Sequence, residues 1–247
     1  MNRINLLNFE IDVISFADTV NVLFENIDKN IKSFVFFINA LKVYELDKNV
    51  ELKNAMSNFN FLLADGIPIV WVSKLFKKPL PERVNGTDLF EKLMSEAEKR
   101  DKSVYFLGAT QENIERLMKV VNQKYPKLKI AGYRNGYFNV IEENDVIENI
   151  NKSGADFLFL GFSSPKKELW TFKYKDQINT PIIQGVGGSF DVVAGIIERA
   201  PKWMQKNGLE WFYRVLKEPK RMFKRYFITN GFFILMVLKY LFKIGIK

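Results

Sequence analysis

Short apolar runs alternate with longer amphipathic stretches along most of the chain. The apolar runs are bounded by Gly, Asn or Asp and have the length and composition of buried strands. They cover Ser33 to Asn39, Phe61 to Asp65, Ser103 to Ala109, Asp156 to Phe162 and Pro181 to Gly187. The stretches between them have helical period, so the order predicts a doubly wound α/β fold with a mainly parallel sheet.

Two of the helical stretches also carry start signals. One runs from Thr87 to Arg100 with Thr87 or Asp88 as its N-cap, and the other runs from Gln111 to Tyr125 with Thr110 as its N-cap. Side-chain oxygens at these positions can accept a hydrogen bond from the free N–H groups of the first turn. Both helices therefore have a defined beginning in the sequence itself.

The end of the chain has a different pattern, and we divide the protein into a body, residues 1–201, and an appendage, residues 202–247. From Trp211 to Phe227, apolar side chains alternate with Lys and Arg, which predicts an amphipathic basic helix. Pro219 predicts a break, near the first turn of a second helix. The apolar run from Phe232 to Leu238 is far shorter than the roughly 20 residues of a spanning helix, which favours interfacial insertion. The alternative is a helix packed on the body with its basic face in solvent.

Charge supports this division. The net charge is +9 over 247 residues, and the appendage holds 11 Lys and Arg against only Glu210 and Glu218, so the body is neutral in sum. A basic tail on a neutral body points to a polyanionic partner, either an anionic membrane surface or nucleic acid. The N-terminus has no apolar run of the signal-peptide kind. We expect a cytoplasmic protein that is peripheral on the inner face of the membrane.

The absence of Cys and His limits the chemistry. It removes the usual zinc ligands and every imidazole or thiolate catalyst, and leaves carboxylates, Lys and Tyr for proton transfer. Phe190 stands where a dinucleotide fingerprint needs its third Gly, and no phosphate-loop lysine motif occurs, which disfavours nicotinamide and ATP enzymes. There is also no Asp-x-Asp pair. We therefore expect neither a cofactor nor a metal ion.

The residues that end the predicted strands should lie together, because ligands of doubly wound sheets bind outside the carboxyl ends of the strands. An amide, a carboxylate and several glycines suit a nucleotide-sugar site, since Gly lets the backbone approach a phosphate. The alternative is that these residues form ordinary strand-to-helix turns. The strand-end residues are Asn39, Asp65, Gly108, Gly161 and Gly185.

Six segments resemble one family of enzymes, the WecG/TagA/CpsF glycosyltransferases, over roughly residues 35–225. The resemblance implies a Rossmann-like body and an appendage that docks on the membrane and completes the active site. It also implies an inverting, metal-independent hexosyltransferase that uses a UDP-sugar donor and a polyprenyl-diphosphate-linked acceptor. The matching segments are ERVNGTDL (82–89), YFLGA (105–109), GFSSPKKE (161–168), GVGGSFDVVAG (185–195), RAP (199–201) and GLEWFYRVLKEPKR (208–221).

The resemblance assigns catalytic roles to three residues. Asp65 matches the general base that takes the proton from the acceptor hydroxyl, with an Asp-Gly turn as the alternative. Arg83 matches an arginine that pairs with a phosphate or a sugar carboxyl group, with a surface ion pair as the alternative. Asn39 matches an asparagine that hydrogen-bonds the donor sugar or the acceptor, with capping of a helix as the alternative.

Two further groups of residues follow from the same resemblance. One is expected to contact the nucleotide and diphosphate of the donor, and the other to clamp the diphosphate of the lipid carrier. The donor group is Gly108, Lys166, Glu168, Gly185, Gly187, Gly188 and Asp191. The lipid-diphosphate group is Arg214, Arg221 and Arg225.

Two positions depart from the family pattern, because many relatives have Thr in place of Phe37 and Gln in place of Lys167. The preferred substrates by resemblance are UDP-N-acetylmannosamine and N-acetylglucosaminyl-diphospho-undecaprenol, for teichoic acid or other cell-surface polysaccharide synthesis. The alternative function is a non-catalytic basic module that binds membrane or nucleic acid through its tail. Nucleic-acid binding through the tail would give no reason for Asn39, Asp65 and the glycines to meet at the strand ends, so we expect no nucleic-acid partner. Self-association into a homo-oligomer is left open.

Overall fold

The computed structural model describes residues 2–245, and within that range the chain forms eight strands, one 3-10 turn and twelve helices. The strands are β1 (Asn2–Leu6), β2 (Phe9–Val13), β3 (Ser33–Ile38), β4 (Phe61–Ala64), β5 (Ser103–Gly108), β6 (Lys129–Arg134), β7 (Phe157–Gly161) and β8 (Ile182–Gly185). The helices of the body are α1 (Phe16–Asp28), α2 (Ala40–Lys48), α3 (Val50–Ser57), α4 (Ile67–Leu75), α5 (Gly86–Lys99), α6 (Gln111–Lys124), α7 (Glu143–Ser153), α8 (Lys166–Tyr174) and α9 (Ser189–Val193). The appendage contributes α10 (Lys202–Lys206), α11 (Glu210–Lys217) and α12 (Pro219–Gly245), and the 3-10 turn spans Val140–Glu142.

Strands β3 to β8 form one six-stranded sheet in the order β4-β3-β8-β7-β5-β6, and every pairing in it is parallel. Strands β1 and β2 pair as a separate antiparallel hairpin. Because all six strands run the same way, their carboxyl ends lie along one edge of the sheet. The doubly wound, Rossmann-like α/β fold that the sequence predicts is confirmed.

Both faces of the sheet are covered. In β3, Phe34 and Phe36 belong to one apolar cluster and Val35 to the other, as the alternation of side chains along a strand requires. The first cluster packs the sheet against α2, α3, α7, α8 and the hairpin, and the second packs it against α1, α5, α6 and α9. Burial on both faces explains why these strands read as continuous apolar runs rather than as alternating ones.

The structure confirms the five predicted strands within two residues at each end, and it adds β6, which the apolar pattern did not show. Strand β6 is at the edge of the sheet, and its residues are partly or fully exposed. Helix α6 has the predicted cap at Thr110. The predicted cap of α5 is wrong: Asn85 is the N-cap, and its side chain accepts hydrogen bonds from the N–H groups of Thr87 and Asp88.

At three positions of the carboxyl edge, any side chain larger than that of Gly would overlap a neighbouring residue. A Cβ atom at Gly161 would lie 2.3 Å from the ring of Phe190, and one at Gly108 would lie 2.5 Å from the backbone of Gly161. At Gly185, a Cβ would lie 2.5 Å from the ring of Phe36. Close packing inside the protein therefore explains why Gly stands at these three positions.

The appendage folds back onto the body through α11 and α12. As predicted, a helix ends before Pro219 and a second one begins at that residue. In α12, Met222, Thr229 and Phe233 are buried, and their spacing places them on one face of the helix. The ring of Phe232 packs edge-on against Tyr44 of α2, at 5.2 Å between ring centroids. The buried face of α12 therefore packs on the body, as the alternative interpretation of the appendage sequence stated.

We expect Gly161→Ala to destabilise the protein by about 1–3 kcal/mol, because the added methyl group overlaps the ring of Phe190 in a filled core. The free energy of unfolding in urea measures this change. Gly188→Ala is the matched control, since no atom lies within 4 Å of a Cβ at Gly188. It should change the free energy by less than about 0.5 kcal/mol, and equal effects of the two substitutions would contradict the packing explanation.

Candidate active site

Asn39 and Asp65 lie next to each other at the carboxyl edge, because they follow the neighbouring strands β3 and β4. A Cβ atom at Gly66 would lie 3.7 Å from the Cβ of Asn39, which shows how closely the two turns approach. The side chain of Asn39 also caps α2, since its Oδ1 accepts a hydrogen bond from the N–H of Lys42 at 3.0 Å. The capping role that was the alternative for Asn39 is therefore present.

Asp65 is held by the segment that precedes α5. The N–H of Val84 donates to the carbonyl of Ala64 at 2.9 Å, which fixes this segment beside the end of β4. Arg83 then reaches Asp65, and its Nε and Nη2 both lie 3.3 Å from Oδ1. Asn85 donates to the same oxygen at 3.1 Å. Three donors thus converge on one carboxylate oxygen, and the side chain is only partly buried.

A second carboxylate reaches Arg83 from the appendage. Glu210, the first residue of α11, accepts a hydrogen bond from Arg83 Nη2 at 2.9 Å. Its other oxygen lies 3.5 Å from Arg199 and 3.7 Å from Arg214. Arg199 is itself paired with Asp88 at 2.6 Å. The site is therefore a network of alternating charges that joins the body to the tail.

The two carboxylates differ in basicity because their surroundings differ. Burial raises the pKa of Asp65, Arg83 opposes that rise, and the charge of Glu210 adds to it. For Glu210, burial also favours the neutral acid, but the arginines around it outweigh this effect and lower its pKa. Asp65 is thus the carboxylate of the pair that more readily takes up a proton, as a general base must.

A second charged cluster lies beside the site, between α2 and α8. Glu168 is 1% exposed, and its Oε1 lies 2.7 Å from the ammonium groups of both Lys42 and Lys167. Lys42 also pairs with Glu45 at 2.8 Å and contacts Ser164. Burial lowers the pKa of Lys167, against the opposing effect of Glu168. The two ammonium groups together lower the pKa of Glu168, although burial opposes them.

Lys167 and Lys166 point in different directions from the start of α8. The side chain of Lys167 passes over the end of β8, where its Cδ would lie 3.1 Å from a Cβ at Gly185. Lys166 donates to the carbonyl of Gly136 at 3.0 Å and lies over the ring of Phe162, 4.9 Å from its centroid. Both ammonium groups are therefore at the carboxyl edge, and Glu168 is buried behind them.

The loop after β8 carries the remaining residues that the sequence assigns to the donor. Gly187 has a φ of +55° and Gly188 has open space where a Cβ would stand, so this loop leaves room at the edge of the sheet. Asp191 lies in α9 and accepts a hydrogen bond from the side chain of Asn113 at 2.9 Å. Tyr137, which the sequence did not indicate, is 76% exposed in the loop after β6.

The three arginines assigned to the lipid diphosphate are on the two tail helices. Arg214 is on α11 and pairs loosely with Glu210, as described above. Arg225 is on α12 and is exposed. Arg221 is also on α12, but its side chain lies outside the part of the structure that is described. Arg214 is thus the tail arginine that the structure places in the Asp65 network.

The structure therefore brings Asn39, Asp65 and Arg83 together and adds Asn85, Arg199, Glu210 and Lys42, which the sequence did not single out. Asn85, Arg199 and Glu210 lie inside the matched segments ERVNGTDL, RAP and GLEWFYRVLKEPKR, so the resemblance covered these residues without assigning them a role. In the range 2–245, no three His, Cys, Asp or Glu side chains are grouped so that they could hold a metal ion.

Fold and site together define an α/β enzyme whose candidate base is a carboxylate at the carboxyl edge of a parallel sheet. The model of the glycosyl transferase WecG/TagA/CpsF family matches residues 4–245. The chain belongs to this family and is a glycosyltransferase of the hexosyltransferase type.

Three relatives share one name, N-acetylglucosaminyldiphosphoundecaprenol N-acetyl-beta-D-mannosaminyltransferase. The protein of Bacillus spizizenii is 35% identical over 219 residues, which cover 88% of this chain and 84% of the relative. That of Bacillus subtilis is 33% identical, covering 79% of this chain and 75% of the relative. A Staphylococcus aureus protein is 30% identical, with 83% and 86% covered. The similarity thus covers most of this chain and most of each relative.

We expect Glu168→Ala to destabilise the protein by about 3–5 kcal/mol, because it leaves the buried ammonium group of Lys167 without its carboxylate and removes one of the two carboxylates that pair with Lys42. Urea denaturation at neutral pH measures the change. Glu148→Ala is the control, since it removes an exposed ion pair with Lys152 on α7. The control should stay within about 0.5 kcal/mol of the parent. A cost for Glu168→Ala as small as that of the control would show that the cluster is solvated.

Proposed function

We propose that the chain is an inverting, metal-independent transferase that moves N-acetylmannosamine from a UDP-sugar to N-acetylglucosaminyl-diphospho-undecaprenol. The product would serve teichoic acid or other cell-surface polysaccharide synthesis. The names of the relatives support the donor sugar and the acceptor. The observation that carries the chemistry is Asp65, a partly buried carboxylate at the carboxyl edge whose pKa is raised by burial.

The reaction is a single displacement at the anomeric carbon. Asp65 takes the proton from the acceptor hydroxyl while that oxygen forms the new bond to the anomeric carbon. The bond between this carbon and the β-phosphate oxygen breaks, and its electron pair leaves with UDP. Attack from the face opposite the leaving group inverts the configuration. The proton stays on Asp65 until it is released to solvent.

The charge on the departing diphosphate needs positive partners. Lys166 at the start of α8 lies at this edge, and Arg214 reaches the Asp65 network from α11. Arg225 is exposed on α12, and we propose that it joins them when the lipid-linked acceptor binds. Open backbone at Gly187 and Gly188 can approach the phosphates. Cations and N–H groups that are already in place stabilise charge as it develops, without rearranging in the transition state. We assign the lipid diphosphate to the arginines and the nucleotide diphosphate to the loop and Lys166.

The tail supplies a membrane-binding surface. Opposite its buried face, α12 exposes Phe223, Phe227, Leu235 and Phe242, each more than 60% accessible. Basic side chains near an anionic leaflet add on the order of 1 kcal/mol each. We propose that this helix lies on the inner face of the cell membrane and so brings the active site to the lipid-linked acceptor.

Residues Met222–Phe242 are long and apolar enough to cross a membrane by length and composition. This segment is longer than the apolar run at residues 232–238 on which the sequence prediction of interfacial insertion rests. We favour the interfacial arrangement because Phe233 is buried against the body, so one face of this helix is occupied by protein. The network around Asp65 likewise favours catalysis over the alternative of a non-catalytic basic module.

We expect Asp65→Asn to lower transfer by at least about 100-fold, the usual contribution of a general base, while UDP binding is retained. The assay is transfer from UDP-N-acetylmannosamine to a short-chain acceptor with EDTA present. Because the raised pKa of Asp65 makes its charged form costly in the fold, the substitution should not lower Tm. Asp101→Asn, at an exposed turn, is the control and should keep full activity. Full turnover by Asp65→Asn would show that Asp65 is not the base. Loss of the parent's activity in EDTA, with recovery on adding a divalent cation, would show that the reaction depends on a metal ion.

We expect Phe223→Glu combined with Phe227→Glu to weaken binding to anionic phospholipid vesicles more than about tenfold, because two exposed aromatic rings no longer enter the interface. Cosedimentation measures this binding. Ile141→Glu is the control, because Ile141 is 88% exposed on the body. If the paired substitution bound vesicles as tightly as the control, this face of α12 would not be the docking surface.

A further inference from the structure

Arg83 is shared between a carboxylate of the body and a carboxylate of the tail. Its Nη2 lies 2.9 Å from Glu210 and 3.3 Å from Asp65, so the shorter contact is to the tail. Both of its contacts to Asp65 go to the same oxygen, Oδ1. An arginine paired with a single carboxylate commonly uses two donors on two oxygens. The arrangement seen here is a weaker pairing than the guanidinium could make.

The second oxygen of Asp65 has a different environment. Among the described side chains, no donor is hydrogen-bonded to Oδ2, whereas Oδ1 accepts from Arg83 and Asn85. Oδ2 is therefore the oxygen left for the proton of an acceptor hydroxyl. If Arg83 turned to pair with both oxygens, it would occupy this lone pair and stabilise the charged form of Asp65. Both effects would make Asp65 a poorer base.

We propose that Glu210 is a positioning residue that holds Arg83 away from full pairing with Asp65, so that docking of α11 sets the basicity of the catalytic base. This inference rests on the proposed role of Asp65 in transfer. Undocking of the tail removes Glu210, lets Arg83 close on Asp65 and leaves the base weakened. The tail thus controls the proton transfer itself, in addition to its contact with the membrane.

The charges that face these groups agree with this role. Glu210 has a second cation besides Arg83, because its other oxygen lies 3.5 Å from Arg199. Its negative charge also favours the protonated form of Asp65, whereas Arg214, on the same helix, opposes that effect. The charged groups around the pair are Arg83 from the segment before α5, Asp88 from α5, Arg199 from the segment before α10, and Glu210 and Arg214 from α11.

The simpler explanation is that Glu210 only anchors α11 to the body. The chain offers a matched control for this, because Lys217 near the end of α11 pairs with Glu198 at 2.7 Å. That ion pair also ties α11 to the preceding segment of the body, but it is exposed and does not touch the Asp65 network. Removing Glu198 therefore weakens the same attachment without changing the surroundings of the base.

The test compares Glu210→Gln, Glu198→Gln and Asp65→Asn in the full chain, with kcat and KM for the UDP-sugar measured across pH. Transfer needs deprotonated Asp65, so activity falls as pH drops through its pKa. In Glu210→Gln that pKa is lowered, so the acid limb of kcat moves to lower pH, and kcat on the plateau falls roughly tenfold because the base is weaker. KM stays within about twofold, since Glu210 does not hold the donor. Glu198→Gln leaves the acid limb where it is.

An unmoved acid limb in Glu210→Gln, or an equal effect in Glu198→Gln, would overturn the proposal and leave Glu210 as an anchor. Retained activity in Asp65→Asn would instead overturn the base assignment, so the two failures are distinguishable. If Glu210→Gln does not fold, Glu210→Asp replaces it. The shorter side chain keeps its charge near Arg199 but withdraws from Arg83, so the acid limb should move in the same direction by less, and an unmoved limb would again overturn the proposal.

Discussion

The interaction on which the site depends is the guanidinium of Arg83 placed between two carboxylates. Asp65 follows a strand of the body, whereas Glu210 begins a helix of the tail, and the two meet on one cation with contacts of 3.3 and 2.9 Å. Two carboxylates this close would repel each other strongly if no cation lay between them. The position of α11 is therefore tied to the charges at the carboxyl edge of the sheet, and the protonation of Asp65 depends on a part of the chain outside the sheet.

The parallel sheet makes this arrangement possible because it collects strand ends at one edge while both of its faces are filled with apolar side chains. The glycines at that edge are used largely for internal packing, as at Gly161 under Phe190. In the proposed reaction, recognition of phosphate is therefore assigned to the open loop at Gly187 and Gly188 and to cations. One of these, Lys167, is partly neutralised by Glu168, so the charged cluster beside the site supplies less positive charge than its lysines suggest.

The sequence predicted the elements whose physical cause is local or periodic. Buried strands appear as apolar runs, and the rule that ligands lie at strand ends was enough to select Asn39 and Asp65. The sequence did not reveal β6, because an exposed edge strand has no apolar run. Neither did it show the pairing of Arg83 with Glu210, because these residues are separated by 127 positions and meet only through the fold of the tail. For the N-cap of α5, several suitable side chains compete in a short segment, and only the backbone path distinguishes Asn85.

Helix α12 has two apolar faces, and this decides how the tail can work. Phe233 packs on the body, whereas Phe223 and Phe227 face outward. A helix that uses one face for the body can bind a membrane with the other without releasing its first contacts. The membrane binding that we propose would stabilise the docked tail by mass action, because the lipid surface would favour the conformation that presents the outward face. Since the docked tail also carries Glu210 and Arg214, the two proposals agree: the conformation proposed to meet the lipid-linked acceptor is also the one in which Asp65 is proposed to be the stronger base.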